Sequence, residues 1–243
     1  MSSHASPVTP HPSRLTRHGF FVTGTDTGVG KTLVACSLLM AFAARGLRSV
    51  GMKPVAAGAE PGARGWKHED VERLAAAGNV AAPREHVNPY CFAPPIAPHI
   101  AAEQAGAEIG LDRIEQSFRA LAALADVVIV EGVGGFRVPL GPAADAAQLA
   151  VRLALPVVLV VGMRLGCLNH ALLTAEAIAA RGLELAGWIA NHVDPQMAAA
   201  DENVRALDER IAAPRLARIA CVPAPDPAAI ARLLDVGKLL GRA

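Results

Sequence analysis

Gly24-Thr-Asp-Thr-Gly-Val-Gly-Lys-Thr32 is the stretch on which the fold turns. It follows the apolar run Gly19-Phe-Phe-Val-Thr23. It precedes residues 31–45, where Leu33, Val34, Leu38, Leu39 and Phe42 recur at helical spacing. A glycine-rich turn between a strand and a helix is the context a phosphate loop requires. Glycines let backbone N–H groups converge on phosphate oxygens, and the helix N-terminus adds partial positive charge. Gly28, Val29, Gly30, Lys31 and Thr32 are therefore the expected nucleotide-binding residues. The Lys31 ammonium can reach the β- and γ-phosphates of ATP, and the Thr32 hydroxyl can ligate Mg²⁺. The common form of the loop places its first glycine at position 25. Here that residue is Thr25 and the nearest glycine is Gly24, a longer variant. The plain alternative is a glycine-rich turn with an accidental GKT, against which the strand–loop–helix context argues.

Outward from the loop, strands alternate with helical patterns. Residues 49–52, 127–130, 157–161 and 186–190 read as short apolar strands. Continuous apolar runs such as VVIV and VVLVV have the character of buried parallel strands. Residues 69–77, 111–125, 144–154, 169–181, 198–211 and 227–240 read as helices, and Gly46 as the C-cap of the first helix. This alternation implies an α/β fold, a doubly wound and mostly parallel sheet of the P-loop NTPase type. Proline-rich residues 83–98 read as an ordered surface loop. Residues 1–17, rich in proline and serine, read as a disordered N-terminal tail without the apolar stretch of a signal peptide. Residues 18–243 then form one domain.

The 243 residues are 52 % hydrophobic, enough for a large core. A formal net charge of +1 gives no reason to expect nucleic acid or an anionic membrane as partner. No apolar run is long enough to span a bilayer. The four cysteines, Cys36, Cys91, Cys167 and Cys221, form no CxxC pair and match no zinc spacing. They read as buried thiols in a reducing cytoplasm.

Six segments in order carry a resemblance to the dethiobiotin synthetase family. They are GTDTGVGKT at 24–32; Gly51-Met-Lys-Pro-Val55; Asn88-Pro-Tyr90 with Pro98-His99; Glu131-Gly-Val-Gly-Gly135; Leu165-Gly-Cys-Leu-Asn-His-Ala171; and Gly187-Trp-Ile-Ala-Asn191. The resemblance implies an enzyme that joins CO₂ to 7,8-diaminononanoate with ATP and Mg²⁺. One amine becomes a carbamate, the carbamate oxygen attacks the γ-phosphate, and the second amine closes a cyclic urea and expels phosphate.

The resemblance also implies roles for residues. Lys53, just beyond a predicted strand, would hold the carbamate and the transferring phosphoryl group together with Lys31. A fixed ammonium stabilises both without moving. The plain alternative is a solvated loop lysine. Thr32, Asp70 and Glu131 would hold Mg²⁺, which prefers a few hard oxygens plus phosphate and water. Glu69 competes with Asp70, since acids at a helix start are expected as caps. Asn191 would read the adenine edge, for which an amide has both donor and acceptor. The substrate would meet Lys53, Gly134, and Cys167, Leu168 and Asn169 at a helix start, the last three contributed by the other subunit of a homodimer. His99 reads as a loop-packing histidine.

The chain departs from the family pattern in three places. Val55-Ala-Ala57 lacks a usual hydroxyl, Gly28 stands where some members carry an acid, and residues 214–220 lack the Gly and Pro of a loop that helps hold the base. The main competing function is a regulatory ATPase of the chromosome-partitioning kind. Such proteins share the fold but carry a second lysine early in the loop, and none lies between Gly24 and Thr27.

Overall fold

A computed structural model describes residues 18–63 and 65–240; the tail read at residues 1–17 lies outside them. In chain order the elements are β1 (His18–Gly24), α1 (Lys31–Ala43), β2 (Ser49–Met52), β3 (Val55–Ala57), β4 (Glu60–Gly62), β5 (Gly65–Lys67), α2 (Glu69–Ala77), α3 (Arg84–Val87), β6 (Tyr90–Phe92), α4 (Pro98–Gln104), α5 (Leu111–Leu124), β7 (Val127–Glu131), α6 (Ala146–Leu153), β8 (Val157–Met163), α7 (Cys167–Ala180), β9 (Leu185–His192), α8 (Ala200–Arg210), β10 (Arg215–Ile219), α9 (Pro227–Ala231) and α10 (Gly237–Leu240). Six strands form the central sheet in the order β10-β9-β8-β1-β7-β2. Every pairing within it is parallel.

Strand periodicity explains how one sheet serves two helical layers. Side chains alternate between faces. Phe20, Val22, Val127, Ile129, Val158 and Val160 pack with α1, α9 and the end of α2. Phe21, Val128 and Val130 point the other way, into a cluster with Ile114 and Leu121 of α5 and Leu149 of α6. Towards β9, Leu159, Val161 and Trp188 meet Ala171 of α7 and Val204 and Leu207 of α8. With both faces covered, alternation of polar and apolar residues disappears and the strands read as continuous apolar runs. The chain is a single α/β domain of the expected P-loop class.

The structure also holds elements that the sequence pattern does not announce. Residues 83–98 contain α3 and β6, and β6 pairs in parallel with β3 beside the main sheet. A short antiparallel hairpin, β4–β5, precedes α2. Residues 215–219 form the edge strand β10 where a loop is expected. The last predicted helix is two short ones, α9 and α10. Helix α1 ends at Ala43 and is capped by Ala44, not by Gly46, which follows in the turn at φ 79. Of the cysteines read as buried, Cys36 and Cys167 are, whereas Cys91 is half-buried and Cys221 exposed.

Candidate active site

Parallel strands deliver all their C-terminal ends to one edge, and in such sheets that edge carries the ligand site. A cleft of ≈ 950 Å³ runs along it. Its residues follow the strand order. Lys53 comes after β2, Glu131 ends β7, residues 27, 28 and 30–32 follow β1, Asn191 lies near the end of β9, and Ala220 and Cys221 follow β10. Glu131 and Asn191 thus sit inside their strands, one residue further along than the sequence pattern places the strand ends.

At the β2–β7 end Lys53 is 4 % exposed, which excludes a solvated loop lysine. Its Nζ donates to Glu131 Oε1 at 2.6 Å and to Asp70 Oδ2 at 2.8 Å. Burial acts to lower the Lys53 pKa, but the charges of Glu131 and Asp70 outweigh it and hold the ammonium above its ordinary range. Burial likewise acts to raise Asp70, and the adjacent Lys53 charge overcomes it, so the carboxyl lies below its ordinary range. Glu131 Oε1 also accepts from the Thr32 hydroxyl at 2.8 Å, while its Oε2 is buried without a hydrogen-bond partner. Glu69 is exposed and pairs with Arg73, so Asp70 alone of the two faces the cleft.

This donor set suits a hard divalent cation. Two carboxylates and one hydroxyl converge, and a buried carboxylate oxygen stands unpartnered. Among the described residues no group of three or more His, Cys, Asp or Glu could hold a metal. A cation here would take its remaining ligands from phosphate and water, the habit of Mg²⁺.

The loop itself is shaped by Gly28 at φ 75 and Gly30 at φ 93, values that a β-carbon disfavours. Gly30 caps α1, so the first free N–H groups of that helix face the cleft. Lys31 is 7 % exposed and donates to the Asp26 carbonyl at 2.8 Å. Burial, and then the nearby Lys53 charge, push its pKa down to about 8 against the pull of Glu131, Asp70 and Asp26. Two ammonium groups therefore converge on one region.

Gly134, at φ 59, lines the same cleft. Cys167, Leu168 and Asn169 do not: they open α7, with Cys167 buried and Asn169 exposed. The adjoining Leu165 is 97 % exposed. His99 lies on α4 away from the cleft lining, its Nδ1 buried and unpartnered, in keeping with a packing residue.

Three further residues support the site. The Asn88 amide donates to the Lys53 carbonyl at 2.6 Å and to the Tyr90 carbonyl at 2.9 Å, fixing the backbone that carries the lysine. His68 caps α2 by accepting from Asp70 N, and its other ring nitrogen meets the Ala57 carbonyl at 3.2 Å, which orients the start of the helix that presents Asp70. Arg164 forms an ion pair with Asp26 in the phosphate loop. The Asn-Pro-Tyr triplet was a signal for Asn88; the other two depend on contacts between segments distant in sequence.

Two curated relatives match this chain over most of its length. The ATP-dependent dethiobiotin synthetase BioD of Aromatoleum aromaticum is 58 % identical over 215 residues, covering 88 % of this chain and 96 % of the relative. The ATP-dependent dethiobiotin synthetase BioD of Nitrosospira multiformis is 56 % identical over 221 residues, covering 91 % and 96 %. The chain belongs to the dethiobiotin synthetase family. A broader family, described as an AAA domain, matches residues 18–228. Among solved structures, the MinD cell division protein of Aquifex aeolicus aligns with TM-score 0.55 at 15 % identity, covering 93 % of this chain and 98 % of that one. The MinD of Pyrococcus horikoshii aligns with TM-score 0.53 at 14 % identity, covering 93 % and 95 %. At such identities the likeness is one of fold. Every dethiobiotin synthetase segment read in the sequence contributes to the cleft, to its support, or to the start of α7.

Proposed function

We propose that this chain converts 7,8-diaminononanoate, CO₂ and ATP to dethiobiotin, ADP and phosphate, with Mg²⁺ as metal, in a cytoplasmic homodimer. The observation that carries the reading is the placement of Lys53, buried and charged, beside Lys31 of the phosphate loop. A carbamate and a γ-phosphate are both anions and repel as they approach. Two fixed ammonium groups offset that repulsion, and they do so without reorganising during the reaction. A nucleotide switch has no carbamate for Lys53 to hold, and residues 24–27 lack the second loop lysine of chromosome-partitioning ATPases.

In this reading the residues divide the work along the sheet edge. Gly28, Val29, Gly30 and Lys31 grip the phosphates through backbone N–H groups and the ammonium. Thr32, Asp70 and Glu131 would hold the metal, which would supply positive charge to the phosphates. Lys53 fixes the carbamate in line with the γ-phosphate, and Gly134 lines the cleft beside the substrate chain. Asn191 meets the adenine edge.

The distant carboxylate of the substrate requires its own anchor. Cys167, Leu168 and Asn169 open a fourteen-residue helix; the Cys167 N–H donates to the Arg164 carbonyl at 3.0 Å, and the N–H groups that follow it at the helix start favour an anion. They stand off the cleft of their own chain, and Leu165 beside them is exposed. Both facts support delivery of this helix to the cleft of a second copy.

A product assay with diaminononanoate, bicarbonate and Mg-ATP tests the whole reading. One cyclic urea should form per ADP released. ATP hydrolysis that ignores the diamine and yields no urea would overturn it in favour of the switch.

A further inference from the structure

We infer that Asn191 is a positioning residue for the phosphate loop, bracing the loop against the sheet whatever the base, and so ties recognition of the base to the grip on the phosphates. The inference rests on the nucleotide reading of the cleft and adds a role that base recognition alone does not require. The Asn191 side chain donates from Nδ2 to the Val29 carbonyl at 2.8 Å. A carbonyl can only accept, so the nitrogen end of this amide must face the loop. The group is 6 % exposed, which makes the bond expensive to lose. A β-carbon on Gly30 would lie 2.3 Å from Asn191 Nδ2, so the amide rests directly on the loop at the residue that caps α1.

The same point is held from below. Val29 is fully buried. Its two methyl groups fill the space that β-carbons would need on Gly24, at 2.5 Å, and on Gly162, at 2.7 Å. Gly162 of β8 is the register partner of Asn191 in β9. The loop is also tied to β8 through Thr25 N to the Val160 carbonyl at 3.0 Å. Val29 is thus wedged between strands β1 and β8 by its side chain and bonded to β9 by its carbonyl. The N–H groups on either side, which must point at phosphate, are aimed by that wedge. An amide has two N–H groups and one oxygen. One N–H is spent on Val29, and the second with Oδ1 suffices for the N7 and N6 positions of adenine. A single rigid group therefore touches both halves of the nucleotide.

The two halves can be tested apart. Inorganic tripolyphosphate and adenosine would each be titrated to displace a fluorescent ADP analogue from the wild-type enzyme and from Asn191→Ser. If Asn191 braces the loop, tripolyphosphate binding weakens about two- to tenfold, the worth of one hydrogen bond, and adenosine binding weakens too. If Asn191 reads the base alone, only adenosine weakens, and the brace is overturned while the base assignment stands. Unchanged affinity for both halves removes both roles. Gly162→Ala separates positioning from general loss of packing: it pushes on Val29 without touching Asn191's free face, so tripolyphosphate should weaken and adenosine should not. Equal loss of both would overturn the inference. Asn191→Asp keeps the shape of the side chain but not the donor. It carries the same measurement should the serine variant fail to fold. Hydrogen exchange supplies a ligand-free readout: the peptide over residues 24–33 should exchange faster in the Asn191 variants, and unaltered exchange would equally overturn the brace.

Discussion

Lys53 donates to Glu131 across 2.6 Å with both side chains at least nine-tenths buried. Taking both charges out of water is costly, and the pair persists because Asp70 and Thr32 complete it. The lysine is therefore held in place before any ligand arrives.

Removing that lysine should cost rate more than binding. Lys53→Ala is expected to lower kcat by about 10²–10³, or about 2.7–4 kcal/mol of transition-state stabilisation. The KM for ATP should change far less, because the phosphate loop is untouched. Steady-state kinetics at saturating diamine and bicarbonate would settle it, and near-normal turnover would refute the role of Lys53.

Glu131→Gln keeps the shape but removes a negative oxygen ligand. The Mg²⁺ concentration for half-maximal activity should rise about tenfold. Melting temperature should fall as well, since Lys53 keeps only Asp70 as counter-charge. A metal titration that superimposes on wild type would exclude coordination by Glu131, direct or through water.

Lys31 sets a pH signature of unusual form. Its pKa is pushed down to about 8 from an ordinary 10.5. The ammonium needed for the phosphates is lost as pH rises through about 8, so kcat/KM for ATP should decline there. Stability should move the other way. Between about 8 and 10.5 the unfolded chain binds this proton and the folded chain does not, so the contribution of Lys31 to stability rises with pH. Activity and nucleotide-free melting recorded across pH 7–10, a window chosen to bracket about 8, should show the opposed slopes. A flat kcat/KM would show that the phosphates do not depend on this charge.

A mixing experiment tests the shared site. Asn169→Asp adds a negative charge where the distant carboxylate should bind, and Lys31→Ala disables the phosphate loop. If α7 serves a second copy, a heterodimer of the two variants has one intact and one doubly damaged site. Activity should return towards half of wild type. Verified heterodimers that recover nothing would place both elements in one subunit.

The legible part of the fold was the part governed by long periodic segments. Strands β1, β7 and β8 are continuous apolar runs, and α2 and α5 carry a clear polar face, so each was readable within a residue or two. Three-residue strands such as β3 and β6 are too short for a period to register, and their partner lies some 35 positions away in the chain, as the pairing Val55 with Tyr90 shows. Edge strand β10 was missed because its two arginines stand three positions apart and break the period of two, and Arg215 and Arg218 lean on Asp208 and His192. In the cleft, residue types at strand ends pointed to Lys53 and Glu131. Their mutual contact, the orphaned Glu131 oxygen and the Asn191 bond to Val29 are tertiary facts with no local signature.

All-parallel pairing has a consequence at the other rim of the sheet. Since each strand ends its run at the cleft, each must begin at the opposite rim, where before every strand of the sheet but β1 the chain turns back from a helix, and where no lining residue of the cleft resides. Gly46 and Gly182 lie in two of these returns, both at positive φ with open space where a side chain would begin. Foreign segments spliced in at either glycine, an epitope or a surface anchor, would hang from the blind side of the molecule. Loop closure charges little for added length there. Turnover should survive such grafts, and the enzyme could be tethered to a support with its mouth facing the solution.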